Sequence, residues 1–351
     1  MDNQGGQAES GLNSDWSELT HECLTNVLSR LTLHDRWTGP MLVCKSWLHA
    51  CKDRSLFSTL DLEVHFDSPT ESARWWTPEF ERKINAMLRS IAEWSGGSLT
   101  EIRVRHCSDG SLSFAADRFE FLDLIVARPK LLDAENGFRP IAFVVACFVL
   151  GFPFLAFGSV WCSNLEVLSI KSCPNVTDAS MARVAFRCLK LREVDISYCY
   201  EISHESLILL GRNCPNLKIL KRNLMNWLDP SQHIGIVPNE YLNACPQDGD
   251  SEAAAIGKTM PHLEHLELRF SKISAKGLAL ICDGCLNLEY LDLSGCANLT
   301  SRDIANATSN LKNLKKIEKP NFYIPRSVFH AERYGHWRLY DDRFQTDTFR
   351  I

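Results

Sequence analysis

The 351 residues hold no arrangement that does chemistry by itself. Eleven histidines are scattered without an H-E-x-x-H pair, and neither a nucleophile elbow nor a phosphate-cradling glycine loop occurs. Metallohydrolase, serine-hydrolase and nucleotide-binding readings therefore lose their motifs. Excess charge is also missing: a net charge of -5 and a pI near 6.1 offer no uniform attraction to nucleic acid or anionic lipid. Proteins are the expected partners, with no nucleic acid and no membrane. The first residues, MDNQGGQAESGLNSDW, lack a basic segment followed by an apolar one, so residues 1–14 are expected to be a disordered lead and not a signal peptide. A reducing compartment follows, where fourteen cysteines serve as small buried hydrophobes more often than as disulfides. The sequons at Asn175, Asn298 and Asn306 are then expected to carry no sugar.

What is present is a repeat. Cys162, Leu165, Leu168, Ile170 and Cys173 recur 26 residues later as Cys188, Leu191, Val194, Ile196 and Cys199, and again as Cys285, Leu288, Leu291, Leu293 and Cys296. Partial copies begin at Leu99, Leu217 and Leu263. The L-x-L core alternates as a strand does, sending leucines inward and the intervening residues to the opposite face. Behind each strand, three-four spacing predicts a helix: Met181, Val184, Ala185 and Cys188 after Thr177 and Asp178, and Leu207, Leu210 and Cys214 after Ser203. The first cysteine of each unit ends a helix, and the second fills a slot at the strand turn too small for leucine. No close-spaced cysteine clusters suggest a metal, and Cys282-Asp-Gly-Cys285 closes a helix where a redox pair would open one. No cofactor and no metal are expected. His262 and His265 are expected to be ordinary surface or edge residues.

Residues 15–62 form a separate helical module. Leu24, Val27, Leu28 and Leu31 make one apolar helix face, and a second helix is predicted over about 40–51 with Val43, Cys44, Trp47 and Leu48 apolar. The module resembles an F-box: Glu18-Leu19 at its start, with Thr20 where proline is usual, Leu-Ser-Arg-Leu at 28–31, Val-Cys-Lys-Ser-Trp at 43–47 and Ser-Leu-Phe at 55–57. Thr38-Gly39-Pro40 departs from the usual approach to the second helix. The repeats resemble the cysteine-containing leucine-rich class, and the whole chain resembles plant F-box/leucine-rich-repeat proteins of the Skp-interacting-partner type. Stretches at 76–95, 212–227, 241–250 and 332–344 support this.

One segment stands outside the resemblance, about 119–161. It contains 21 uncharged residues, IAFVVACFVLGFPFLAFGSVW, long enough to span a bilayer core. A span there would put the two halves of a solenoid on opposite sides of a membrane. Removing 119–161 joins Cys107 to Cys173 at close to one repeat period, so an insertion between repeats is the favoured reading, as a retained intervening sequence would give. A membrane segment and a buried repeat element stand as alternatives.

The expected fold class is α/β: an F-box at 15–62, a linker helix and first repeat at 63–118, the insertion, a short curved leucine-rich-repeat solenoid at 162–320 and a C-terminal cap at 321–351. The resemblance implies that the module binds a Skp-type adaptor, and through it a cullin-RING ubiquitin ligase, with Leu19, Leu24, Leu28, Leu31, Val43, Cys44, Trp47, Leu48, Leu56 and Phe57 divided between interface and module core. Target-binding candidates between the strand leucines are Ser169, Lys171, Asp195, Ser197, Glu267, Arg269, Asp292 and Ser294. The implied role is a non-catalytic substrate receptor working in nucleus or cytoplasm; the alternative is a repeat scaffold whose N-terminal helices merely cap the solenoid.

Overall fold

The computed structural model describes residues 18–63, 66, 72–116 and 163–320. The chain divides into two units, one ending at Phe57 and the other beginning at Ser58. The lead, residues 119–161, Cys162 and the C-terminal cap lie outside the described residues.

In the first unit the described helices are α1 (His21–Leu28), α2 (Leu33–Thr38) and α3 (Lys45–Cys51). The side chains of Thr20 and Thr32 accept from the amides of Cys23 and Asp35, satisfying first-turn donors of α1 and α2 that have no partner within the helix. Leu24 and Leu28 of α1, Ala50 and Cys51 of α3, and Leu56 and Phe57 beyond it are the buried apolar residues here. Arg36, also buried, donates from Nη1 to the Leu56 carbonyl at 3.1 Å and sits over the Phe57 ring. The single helix predicted over 40–51 is broken. Gly39 ends α2, Pro40 opens a 3-10 turn over Pro40–Leu42, and Cys44 is fully extended (φ -159°, ψ 177°) before α3 begins. Proline can start a turn but gives no amide to an earlier one.

In the second unit eight strands form one parallel sheet in chain order: β1 (Thr59–Asp61), β2 (Glu101–Arg105), β3 (Val167–Lys171), β4 (Glu193–Asp195), β5 (Ile219–Lys221), β6 (His265–Glu267), β7 (Tyr290–Asp292) and β8 (Lys316–Glu318). The sheet therefore begins inside the stretch read as the N-terminal module. Helices follow the strands in turn: α4 (Pro78–Ser95), α5 (Asp109–Ala116), α6 (Asp178–Arg187), α7 (His204–Asn213), α8 (Asn239–Asn243), α9 (Asp250–Thr259), α10 (Ala275–Gly284) and α11 (Ser301–Thr308).

The strand register stacks Leu60, Ile102, Leu168, Val194, Leu220, Leu266, Leu291 and Ile317 in one column. All but Ile317 are at most 1% exposed. Burying one such side chain contributes about 1.5–3 kcal/mol, which no single repeat can collect alone. After most strands one residue is left-handed, at His106, Ser172, Tyr198, Phe270 and Gly295. The residue that follows it turns inward, and it is Cys107, Cys173, Cys199 or Cys296 in four of the five coils. The Cys199 thiol donates to the Ile170 carbonyl and that of Cys296 to the Leu268 carbonyl, both at 3.0 Å, so a small side chain fills the slot and satisfies a carbonyl of the preceding coil. Cys188, Cys214 and Cys285 are the residues that end α6, α7 and α10, all buried.

The helix starts are linked from coil to coil. Asp109 accepts from the amide and hydroxyl of Thr177, Asp178 from those of Ser203 and from the Ser206 hydroxyl, and Asp250 from those of Ser274. Thr177, Ser203 and Ser274 in turn cap their own helices. Each first-turn aspartate thus fixes the cap of the next coil, a role the sequence left undecided between Thr177 and Asp178.

From β3 to β8 the regular spacing breaks once. Between β5 and β6 the chain makes an excursion containing α8, with Leu224, Met225, Val237, Tyr241 and Cys245 buried against Tyr200. The strands on either side of 119–161 pair directly, Glu101 with Val167 through Arg105 with Lys171. Among the described residues no helix is long and apolar enough to cross a membrane.

Candidate functional site

The residues singled out in the first unit separate by exposure. Leu24, Leu28, Leu56 and Phe57 are its core, while Leu19, Leu31, Cys44, Trp47 and Leu48 are half-buried. Val43 is 59% exposed, next to Leu42 at 78%, and Val27 on α1 is 48% exposed. Leu42 and Val27 were not named as contact residues by sequence reasoning. The break at Cys44 is what turns Leu42 and Val43 away from the core, and no helical periodicity announces it. Large apolar side chains at this exposure are the natural anchors of a protein interface. On the same unit Asp53 accepts from His21 at 2.7 Å and from the Ser55 amide and hydroxyl, which hold its carboxyl at about 2.

In the second unit the outward face of the sheet carries a lattice of charge. Lys171 bridges Glu63 at 3.0 Å and Asp195 at 3.2 Å, with Ser169 donating to Glu63 at 2.7 Å. Burial works against the Lys171 ammonium, yet Asp195 and Glu63 outweigh it and hold the group above its ordinary value. Arg269 reaches Asp292 at 2.6 Å and Glu267 at 3.8 Å. Burial would raise the Asp292 carboxyl, but Ser294 and Arg269 donors bring it below the usual range. Glu193 is shared by Arg103 and Lys221, both at 3.3 Å, and Arg103 also meets Glu101.

The eight residues expected on this face therefore differ in access. Ser169, Asp195, Ser197 and Asp292 are buried beneath their partners; Lys171, Glu267 and Ser294 are half-buried; Arg269 has 47% of its side chain exposed. Glu63, Arg103, Glu193, Lys221 and Asn223 share the lattice and were missed, although 101–105 and 219–223 follow the same alternation as the complete repeats. His265 is more than an edge residue: its ring stacks on Tyr290 at 4.3 Å and 12° and bonds Glu267 at 2.9 Å. His262 lies outside β6 and is exposed. Because the charges are already matched, a partner on this face must exchange ion pairs and add contacts around the less buried groups.

A helical module with outward apolar side chains, joined to a stack of leucine-rich coils, defines a class of protein, and similarity bears this out. A model of the F-box domain matches residues 16–59, and a model of the leucine-rich repeat matches residues 259–282. The chain is 55% identical to F-box protein SKIP1 of Arabidopsis thaliana over 340 residues, covering 96% of this chain and 98% of that protein. It is 48% identical to putative F-box/LRR-repeat protein 19 of the same plant, covering 96% and 99%. The chain belongs to the plant F-box/leucine-rich-repeat family. A chain from a crystal structure of the yeast Rad7 and Elc1 complex is similar at 15% identity and a TM-score of 0.35, over 70% of this chain and 63% of that one.

Proposed function

We propose that the chain is the substrate-recognition subunit of an SCF-type ubiquitin ligase, its F-box holding a Skp-type adaptor and its repeats holding a target protein. The observation that carries this reading is the pairing, in one chain with near full-length family similarity, of an F-box exposing Leu42 and Val43 with a solenoid whose core is closed and whose face is polar. Adaptor contact falls to Val27, Leu42 and Val43, supported from beneath by Leu24, Leu28, Leu56 and Phe57. Target contact falls to the Lys171 and Arg269 lattices. The chain itself transfers nothing. It raises the local concentration of the target beside the ubiquitin-charged enzyme and fixes its orientation, which converts an encounter between separate molecules into one within a complex. Nucleus or cytoplasm is the proposed place of work.

Co-purification of a Skp-type adaptor with the full chain, beside a Leu42→Asp/Val43→Asp variant, tests the proposal. Capture by the parent and its loss in the folded variant is the expected result. A folded parent that captures no adaptor overturns the receptor reading and leaves a repeat scaffold.

A further inference from the structure

In the second unit the loops beyond the carboxyl ends of the strands enclose a cavity that the polar face does not include. Its walls come from three distant regions of the chain. The 3-10 turn at Ala73–Trp76 supplies Trp75 and Trp76, the left-handed residue after β2 supplies His106, and α8 of the excursion supplies Tyr241. Trp76 packs edge-on to His106 at 4.8 Å and against Tyr241 at 4.8 Å, and Tyr241 stacks on Tyr200 at 4.6 Å and 14°. The aromatic chain therefore runs from the first coils to the excursion and roofs the coils between. The space is about 430 Å³, within the range of roughly 300–1,000 Å³ typical of ligand sites.

Charge around this cavity is one-sided. Glu81, Glu201 and Glu240 line it, and among the described residues no lysine or arginine does. Glu81 accepts from Asn85 and Asn175. Glu201 and Glu240 are exposed, and their carboxylates take part in no hydrogen bond or ion pair among the described residues. This is the reverse of the sheet face, where Glu63, Glu193, Asp195, Glu267 and Asp292 each meet a cation or imidazole. Aromatic faces carry negative electrostatic potential and attract cations, and carboxylates at the mouth of such a cavity strengthen the attraction. A neutral apolar group would gain the rings and leave the carboxylates idle. An anion would be repelled.

We propose that this cavity receives one basic side chain, arginine or lysine, of the target polypeptide, with Trp76 and Tyr241 as the walls and Glu201 and Glu240 as counter-charges. The inference rests on the reading of the solenoid as the target-binding region of the chain. It assigns the excursion a purpose: α8 brings Tyr241 and Glu240 to Trp76, which no regular coil would do.

Calorimetric titration of the full chain at low ionic strength with N-acetyl-arginine amide, N-acetyl-lysine amide and neutral N-acetyl-norleucine amide tests the proposal. Both cations are expected to bind, and norleucine amide about tenfold more weakly or not at all, as the loss of one desolvated cation–aromatic contact predicts. Glu201→Gln/Glu240→Gln, two substitutions at exposed positions, is expected to weaken both cations about tenfold with unfolding temperature unchanged. Trp76→Leu should weaken them further. Norleucine amide binding as tightly as arginine amide, cation binding untouched by the double substitution, or no binding at all overturns the assignment. Adaptor capture by the same variants, expected to be unchanged, reads the receptor proposal separately from the cavity.

Discussion

Arg222 donates to Glu252 through both Nε, at 3.1 Å, and Nη2, at 2.8 Å, from a position that the neighbouring coils give to Ile196 and Leu268. Its remaining donors reach the carbonyls of Ile196, Cys199 and Ile202 at 3.2, 2.6 and 2.8 Å. Burial works against the guanidinium, and Glu252 more than offsets this, so its pKa is raised. A buried cation with all its donors used ties the coil of β5 to the coil before it and to α9.

Arg222→Ala should therefore cost about 3–5 kcal/mol in urea unfolding, because it leaves the Glu252 carboxylate and the Ile202 carbonyl without a donor and strips the carbonyls of Ile196 and Cys199 of their charged one. Arg222→Leu/Glu252→Leu, which removes both charges and restores the repeat's aliphatic side chain, should cost clearly less than Arg222→Ala. Equal costs would mean that packing volume, and not the ion pair, is what the site supplies.

The contrast between what could and could not be read from the chain follows from this site. Leu168, Val194, Leu266 and Leu291 were legible because a strand that stacks on its neighbours must repeat its inward residues. Arg222 broke the pattern at the coil where the excursion also lengthens the spacing, so the repeat there looked only partial. Glu63 pairs with Lys171 across 108 residues, a distance over which spacing carries no signal. The F-box matched by residue type, but its exposed apolar side chains could not be told from its core until Gly39-Pro40 and the extended Cys44 were seen to split the helix and expose Val43.

The aspartate ladder predicts a dependence on pH. Burial would raise the Asp178 carboxyl, but Ser206 and Ser203 donors outweigh it and lower its pKa from 3.8. A carboxyl depressed on folding contributes stability that is complete above its unfolded value and is lost as pH falls through the lower, folded one. Asp178→Ala should cost about 1.5–3 kcal/mol at pH 7, as charge-assisted hydrogen bonds do, and the gap from the parent should narrow below pH 4. Urea midpoints of both proteins from pH 7 to pH 3 supply the check.

Thiol reactivity should follow burial. Among the described cysteines Cys23 is exposed and Cys44 half-buried, whereas burial pushes Cys282, Cys285 and Cys296 up to about 12. Only the thiolate attacks an alkylating reagent. Iodoacetamide and peptide mass spectrometry on the native chain at pH 8 should, among the described cysteines, label Cys23 first and Cys44 next, with the buried ones labelled only after unfolding. Rapid native labelling of Cys282 or Cys285 would contradict a closed core.

In the first unit, exposure should divide two kinds of loss. Leu28→Ala removes a fully buried side chain and should cost about 2–5 kcal/mol, lowering adaptor capture only as far as the module unfolds. Leu42→Asp removes nothing from the core and should abolish capture with the helical circular dichroism signal retained. If Leu42→Asp still captures adaptor, the contact surface lies elsewhere on the module.

Gly257 and Gly284 offer a test in which the ordinary expectation is reversed. Replacing a glycine inside a helix by alanine normally stabilises by about 0.5–1 kcal/mol, since alanine has less backbone freedom to lose. Here α9 and α10 meet at these glycines: a Cβ on Gly284 would run into the Gly257 carbonyl, and one on Gly257 into the Leu280 carbonyl. Both obstacles are backbone, so they cannot swing aside as a side-chain end would. Neither glycine has a positive φ, which leaves steric contact as the deciding effect. Overpacking of about 1–3 kcal/mol should outweigh the entropy gain, so Gly257→Ala and Gly284→Ala should each lower the urea midpoint. Alanine at the exposed left-handed Gly96, with nothing within 4 Å of its Cβ, supplies the comparison: any loss there comes from backbone strain alone. A rise in stability at Gly284→Ala would show that the two helices can separate without loss, and that the close approach of α9 to α10 does not hold the solenoid together.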